Sequence, residues 1–144
     1  MSDEPAVESG QAWRLVVVAG VEMHLPAANP EVLLREAGSP WRELRIPVGL
    51  AEGTAIAQAF HGVASPRPLT HALVATLLES HEVHLEAMRI TGRIGKVFVA
   101  EIETVGPRGR QVVDCRPSDA MALVLRSRLP APMLVAEELF GPVS

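Results

Sequence analysis

The sequence predicts an α+β domain: one compact body with a mainly antiparallel sheet and about three helices. Three observations predict it. Short runs of β-branched or alternating apolar residues recur in both halves of the chain, as strands covered on one or both faces require. Several of these runs follow one another across turn-forming residues, which is hairpin and meander patterning. Stretches with apolar residues three and four apart interrupt the strands as helices would. At 144 residues the chain is expected to hold one domain. We place it at residues 12–144, behind a polar tail at 1–11 that carries Asp3, Glu4, Pro5, Glu8 and Gly10.

The elements follow in order. Trp13 to Val21 holds the β-branched run Leu15-Val16-Val17-Val18 and reads as the first strand. His24 to Asn29, with Pro26 and Pro30, breaks it. Residues 32–36 and 41–48 form a hairpin across Ala37-Gly38-Ser39-Pro40, with Leu44, Ile46 and Val48 on one face. Gly49 to Gly62 is rich in alanine and sets Ile56, Ala59 and Phe60 on one helical face. Ser65-Pro66-Arg67-Pro68 is a stiff linker. Thr70 caps a second helix whose expected buried stripe is Leu73, Val74, Leu77 and Leu78. Val83–Thr91, Lys96–Glu103 and Gln111–Cys115 make a meander with turns at 92–95 and 105–110. Ser118 to Arg128 is the third helix, with Pro117 near its first position. Met133 to Ala136 is a last strand, and Glu137 to Phe140 a helical turn.

Composition narrows the function. Hydrophobic content of 48% with 21% charged residues describes a folded domain. A formal net charge of −4 argues against tight non-specific DNA binding but leaves room for a local basic patch. Cys115 is the single cysteine, so no intrachain disulfide can form and a reducing compartment fits. No basic-then-apolar leader and no run of about 20 apolar residues is present, so we expect a cytoplasmic protein without a membrane partner. Twelve arginines against the single Lys96 is the bias of a GC-rich bacterial genome. There is no G-x-S-x-G, Walker A or G-x-G-x-x-G motif to support acyl transfer, nucleotide hydrolysis or dinucleotide binding. Aromatic content of 3% weakens a base-stacking platform.

Ionisable groups concentrate at Val113-Asp114-Cys115-Arg116-Pro117-Ser118-Asp119. Asp114 ends a strand and Asp119 stands in the first turn of a helix. Two readings fit. Asp119 complements the helix dipole while Arg116 pairs with a carboxylate. Alternatively, the two carboxylates hold Mg²⁺ or Mn²⁺, which take oxygen ligands and keep positions open for water and phosphate. Glu52 lies at another helix start, as a dipole partner or a third ligand. Arg67, between two prolines, displays a guanidinium that forks onto phosphate or pairs on the surface. His71 offers an imidazole as general acid, or as a packing and capping group. His81-Glu82-Val83-His84 lacks the spacing of a helical zinc motif, and Cys115 has no histidine close in sequence.

Three blocks together resemble the bifunctional nuclease family: Leu44-Arg45-Ile46-Pro47-Val48-Gly49 with Ala55-Ile56-Ala57, then Arg67-Pro68-Leu69-Thr70-His71, then Val113 to Leu123 with its D-x-R-P-S-D-A core. The similarity runs from about Trp13 to Glu138. Ala72 departs from the pattern, which continues with an aspartate after R-P-L-T-H. The resemblance implies a compact α+β domain and metal-assisted hydrolysis of DNA or RNA. On that reading Asp114 and Asp119 would hold the ion with Glu52. Arg67 and Arg116 would neutralise phosphate, and His71 would be an acid or orienting group. The alternative is a non-catalytic regulatory or binding module, with edge strands such as 32–36 or 133–136 covered by self-association as a homo-oligomer.

Overall fold

The structure is a computed structural model that describes residues 11–23, 29–63 and 70–141. The expected polar tail up to residue 10 and the linker with Arg67 lie outside the described residues. Seven strands form one sheet: β1 (Trp13–Glu22), β2 (Glu31–Glu36), β3 (Glu43–Pro47), β4 (His84–Ile94), β5 (Val97–Gly106), β6 (Gly109–Cys115) and β7 (Met133–Ala136). The helices among the described residues are α1 (Leu50–Phe60), α2 (Thr70–Ser80) and α3 (Pro117–Arg126), with a short 3₁₀ turn at Glu137–Leu139. This is the expected α+β domain.

The strand order is β3-β2-β1-β7-β4-β5-β6. Every neighbouring pair is antiparallel except β4 with β7. The registers define two faces, because alternate side chains point to opposite sides. Val16, Met133, Met88 and Ile102 are partners in one row across four strands, and all are buried. The adjacent row, Leu15, Leu134, Arg89, Glu101 and Asp114, lies on the other face. The helices cover only the first face: Ile56 of α1 and Ala120 to Val124 of α3 share one core cluster with the strands, and Val74 and Ala75 of α2 pack against it. Gly53 lets α1 approach the chain before β2, since a Cβ there would stand 2.4 Å from the Pro30 ring.

Several expectations need correction. The turn expected at 92–95 is a tighter one: β4 continues to Ile94, with a register shift between Ile90 and Gly92. Gly95 then supplies the positive φ of 64°. The turn expected at 105–110 likewise shrinks to Pro107-Arg108, because β5 and β6 pair as far as Gly106 and Gly109. The expected stripe of α2 is half wrong: Leu73 and Leu77 are 51% and 50% exposed, and the helix turns Val74, Ala75 and Leu78 inward. α2 rests on α3 at the rim of the domain, so its neighbours cover a narrower face than the leucine pattern offers. Strands 32–36 and 133–136 are not edges. β2 pairs with β1 and β3, and β7 is inserted between β1 and β4.

One polar group is buried deliberately. Glu36, at the end of β2, is 1% exposed. Its carboxylate accepts from Arg14 Nε at 2.6 Å, from the Arg42 backbone N–H at 2.7 Å and from Arg42 Nη2 at 2.9 Å. Arg42 also donates to Glu137 at 3.1 Å and to the Gly141 carbonyl at 3.2 Å. The hydrogen bonds from Arg42 are the main reason the Glu36 carboxyl is held down at about 2, against an ordinary 4.5. A buried ion pair is costly to break from one side, because its partner charges lose their counter-ion. Glu36→Ala should therefore cost about 3 kcal/mol in denaturant unfolding. The tie's contribution is complete above pH 4.5 and is lost as pH falls through about 2. Thermal melts across that window should show wild type and Glu36→Gln converging as the pH drops.

Candidate functional site

The site forms where three helix starts meet. Arg116 follows β6 directly and is the N-cap of α3, with Pro117 fixing the first helical φ. Asp119 is then the third residue of α3, one turn from the cap, so its carboxylate folds back: it accepts from the Arg116 backbone N–H at 3.3 Å. It also accepts from Arg116 Nε at 3.0 Å and Nη2 at 2.8 Å, a two-pronged guanidinium contact. α2 begins at Thr70 and brings in His71, whose Nε2 lies 2.9 Å from Asp119 Oδ1. α1 brings Glu52, whose carboxylate is 3.5 Å from Arg116 Nη1. Helix starts gather here because anionic side chains are favoured beside free backbone N–H groups.

The electrostatics follow from this geometry. The Arg116 guanidinium, and then the His71 contact, hold the Asp119 carboxyl at about 2. Asp119 is therefore ionised at neutral pH and can only accept hydrogen bonds. Neutral His71 must then carry its proton on Nε2, which leaves the Nδ1 lone pair as its basic position. No partner for Nδ1 occurs among the described residues. His71 is mostly covered, its side chain 16% exposed, whereas Arg116 is 63% exposed. Arg116 thus offers solvent a cation that Asp119 holds in place.

Four of the six residues singled out from sequence come together: Glu52, His71, Arg116 and Asp119. Arg67 lies outside the described residues. Asp114 stands apart. It is exposed, and its partner across the sheet is Glu101 on the face away from the helices. The neighbouring Cys115 pairs with the buried Ala100, so the period of two sends Asp114 and Asp119 to opposite sides of the sheet. Among the described residues no three His, Cys, Asp or Glu side chains lie close enough to hold a metal ion. Both Asp119 oxygens already accept from Arg116. This closed arrangement does not fit a divalent ion.

Burial, and then the charges of Asp119, Asp114 and Glu101, push the Cys115 thiol up to about 11. It stays protonated at neutral pH and is not a poised nucleophile. His81 is occupied locally, with Nδ1 2.9 Å from the Leu77 carbonyl. A residue not picked out from sequence is Gly49, the N-cap of α1: a Cβ there would stand 2.1 Å from Glu52 Oε1. The Glu52 carboxylate occupies the space that a side chain would take. A glycine three residues before an acidic helix-start residue was the available signal.

Asp119 both caps α3 and joins α3 to α2, while Glu52 makes one longer, partly solvated contact to Arg116. Asp119→Ala should cost about 1–2 kcal/mol of stability and Glu52→Ala no more than about 0.5 kcal/mol. Urea unfolding of the two variants beside wild type measures the difference.

The sequence profile of the bifunctional nuclease domain matches residues 32–143, a stretch that contains all four clustered residues. The chain is also 37% identical over 115 residues to uncharacterized proteins of Mycobacterium tuberculosis strains CDC 1551 and H37Rv, covering 80% of this chain and 68% of each relative. With the matched region spanning most of the sheet and all three described helices, the chain belongs to the bifunctional nuclease domain family.

Proposed function

We propose that the chain hydrolyses phosphodiester bonds of DNA or RNA at the Glu52–His71–Arg116–Asp119 cluster. The observation that carries the reading is the hydrogen bond from His71 Nε2 to an Asp119 carboxylate already fixed by Arg116. A carboxylate that orients an imidazole and stabilises its charged form is a recurring general-base arrangement. His71 Nδ1 takes a proton from the attacking water as the new P–O bond forms. The P–O bond to the leaving oxygen breaks, and the imidazolium returns its proton to that oxygen. Arg116 supplies positive charge to the phosphate through Nη1, which Asp119 leaves free and Glu52 approaches only to 3.5 Å. Glu52 keeps Arg116 extended toward the mouth of the site. The family description, which names a nuclease domain, supports the same substrate class.

A second reading rests on the closure of Arg116 between Glu52 and Asp119. In it the cluster ties α1, α2 and α3 together, and the chain is a binding or regulatory module without chemistry. The two readings separate in one assay. Highly purified wild type, His71→Ala and Asp119→Asn are incubated with DNA and with RNA, in Mg²⁺, in Mn²⁺ and in chelator. The hydrolase reading expects both variants to cleave at least about a hundredfold more slowly. Equal cleavage by all three would identify a contaminating nuclease. No cleavage by wild type under any condition would favour the module.

A further inference from the structure

The sheet has two edges, and they are built differently. β3 has five residues and ends at Pro47, which has no N–H to offer. Its charges are answered within the chain: Glu43 accepts from Arg35 and Glu22 from Arg45. This is a blunted edge. β6 runs seven residues, Gly-Arg-Gln-Val-Val-Asp-Cys, without proline or lysine. Its register against β5 is unbroken, so no bulge twists it away. Val112 and Val113 are 56% and 49% exposed. Asp114 makes no ion pair among the described residues although Glu101 stands directly across from it. Two acids opposite one another are unfavourable unless a cation is near. Arg89 serves Glu101 at 3.0 Å, and nothing described serves Asp114.

The direction of the free backbone groups follows from the register. The two-residue turn closes on the pair Gly106–Gly109, which exchanges hydrogen bonds. Bonded and non-bonded pairs then alternate along an antiparallel ladder. Residues 109, 111, 113 and 115 therefore bond to β5. Arg110, Val112 and Asp114 point their N–H and C=O groups outward. Their side chains also share the face of the sheet away from the helices.

We propose that β6 is a self-association edge, and that a second copy of this chain pairs with it antiparallel about a two-fold axis at Val112. In that register Val112 meets its own copy, and Arg110 of each chain meets Asp114 of the other. The outward N–H and C=O groups of all three residues find partners. Asp114 gains as neighbour the Arg110 guanidinium, whose Nη1 already donates to Glu103 of its own chain, and Val112 is covered by its copy. Registers shifted by two residues leave one of the three unpaired and separate the charges. Registers shifted by four set Arg110 or Asp114 against itself. The charge pattern of one strand thus selects one alignment, as an isologous interface requires. Two seven-stranded sheets become one continuous sheet, with the helices of both chains on a common face.

The test uses the full chain and reads mass and register separately. Sedimentation equilibrium at micromolar concentration is expected to give twice 15.4 kDa for wild type. Asp114→Arg, which sets arginine against arginine, should weaken the dimer at least about tenfold. Val112→Pro removes an N–H that β5 does not use and should also give monomer. Circular dichroism melts of both variants confirm that they fold. For register, a Cys115→Ser background carries Val112→Cys or Asp114→Cys. Paired Cα atoms across such a bonded pair lie about 5.5 Å apart, within disulfide reach. Mild oxidation should cross-link the Val112→Cys chain to itself and leave the Asp114→Cys chain uncross-linked. A monomeric wild type would overturn the proposal. So would an oligomer that survives both Asp114→Arg and Val112→Pro, or cross-linking at 114 instead of 112.

Discussion

Glu36 is a carboxylate with almost no exposed surface, and arginines from two parts of the chain converge on it. Arg14 comes from β1 and Arg42 from the segment before β3. Through Arg42 the contact reaches Glu137 and the Gly141 carbonyl at the end of the described chain. Apolar burial holds the rest of the sheet together, but it is non-directional and does not fix how strand ends meet. A buried carboxylate with two guanidinium partners does, since each lone pair accepts along a defined line. The tie anchors the half of the sheet from which α1 departs, and α1 carries Glu52 to the site. Placement of the cluster therefore depends on a contact distant from it in the chain.

Much of the fold was legible in the sequence because much of it is local. The β2–β3 hairpin and the β4–β5–β6 meander are written in alternating residues and turn chemistry, and each hairpin joins neighbours in sequence. The edges were not legible. β7 is four residues long, and its place between β1 and β4 depends on partners far away in sequence. The stripe of α2 misled for a related reason: leucine spacing reports what a helix could bury, and α2 sits where its neighbours cover less. At the site, Glu52, His71, Arg116 and Asp119 were legible because each stands at a helix start, where residue type and position carry the same message. Asp114 looked like part of the group because it is close in sequence, but strand periodicity sends it to the far face.

The cluster also shows how little separates a structural tie from a reactive group. Asp119 accepts the Arg116 backbone N–H, both prongs of its guanidinium and the His71 imidazole. The first of these contacts belongs to helix capping, and the last is the one the proposed hydrolysis would use to orient the imidazole. One residue serves both, so the orientation of His71 inherits the rigidity of the α3 start. A cleft between α2, β4 and the end of α3, lined by Leu78, Leu85, Leu123 and Arg126, does not have Asp119 or Arg116 in its lining.

The position of β7 has a consequence for how the chain is made. Emerging from a ribosome, the polypeptide presents β1, β2 and β3 early and β4, β5 and β6 later, as two separate antiparallel units. Neither can join the other until residues 133–136 arrive, because among the described residues β7 is the strand that pairs with both β1 and β4. Until then the inner flanks of β1 and β4 are open, with Val16, Met88 and Ile90 uncovered. Completion of the domain therefore waits on one short strand. Such open flanks are the edges on which neighbouring chains pair.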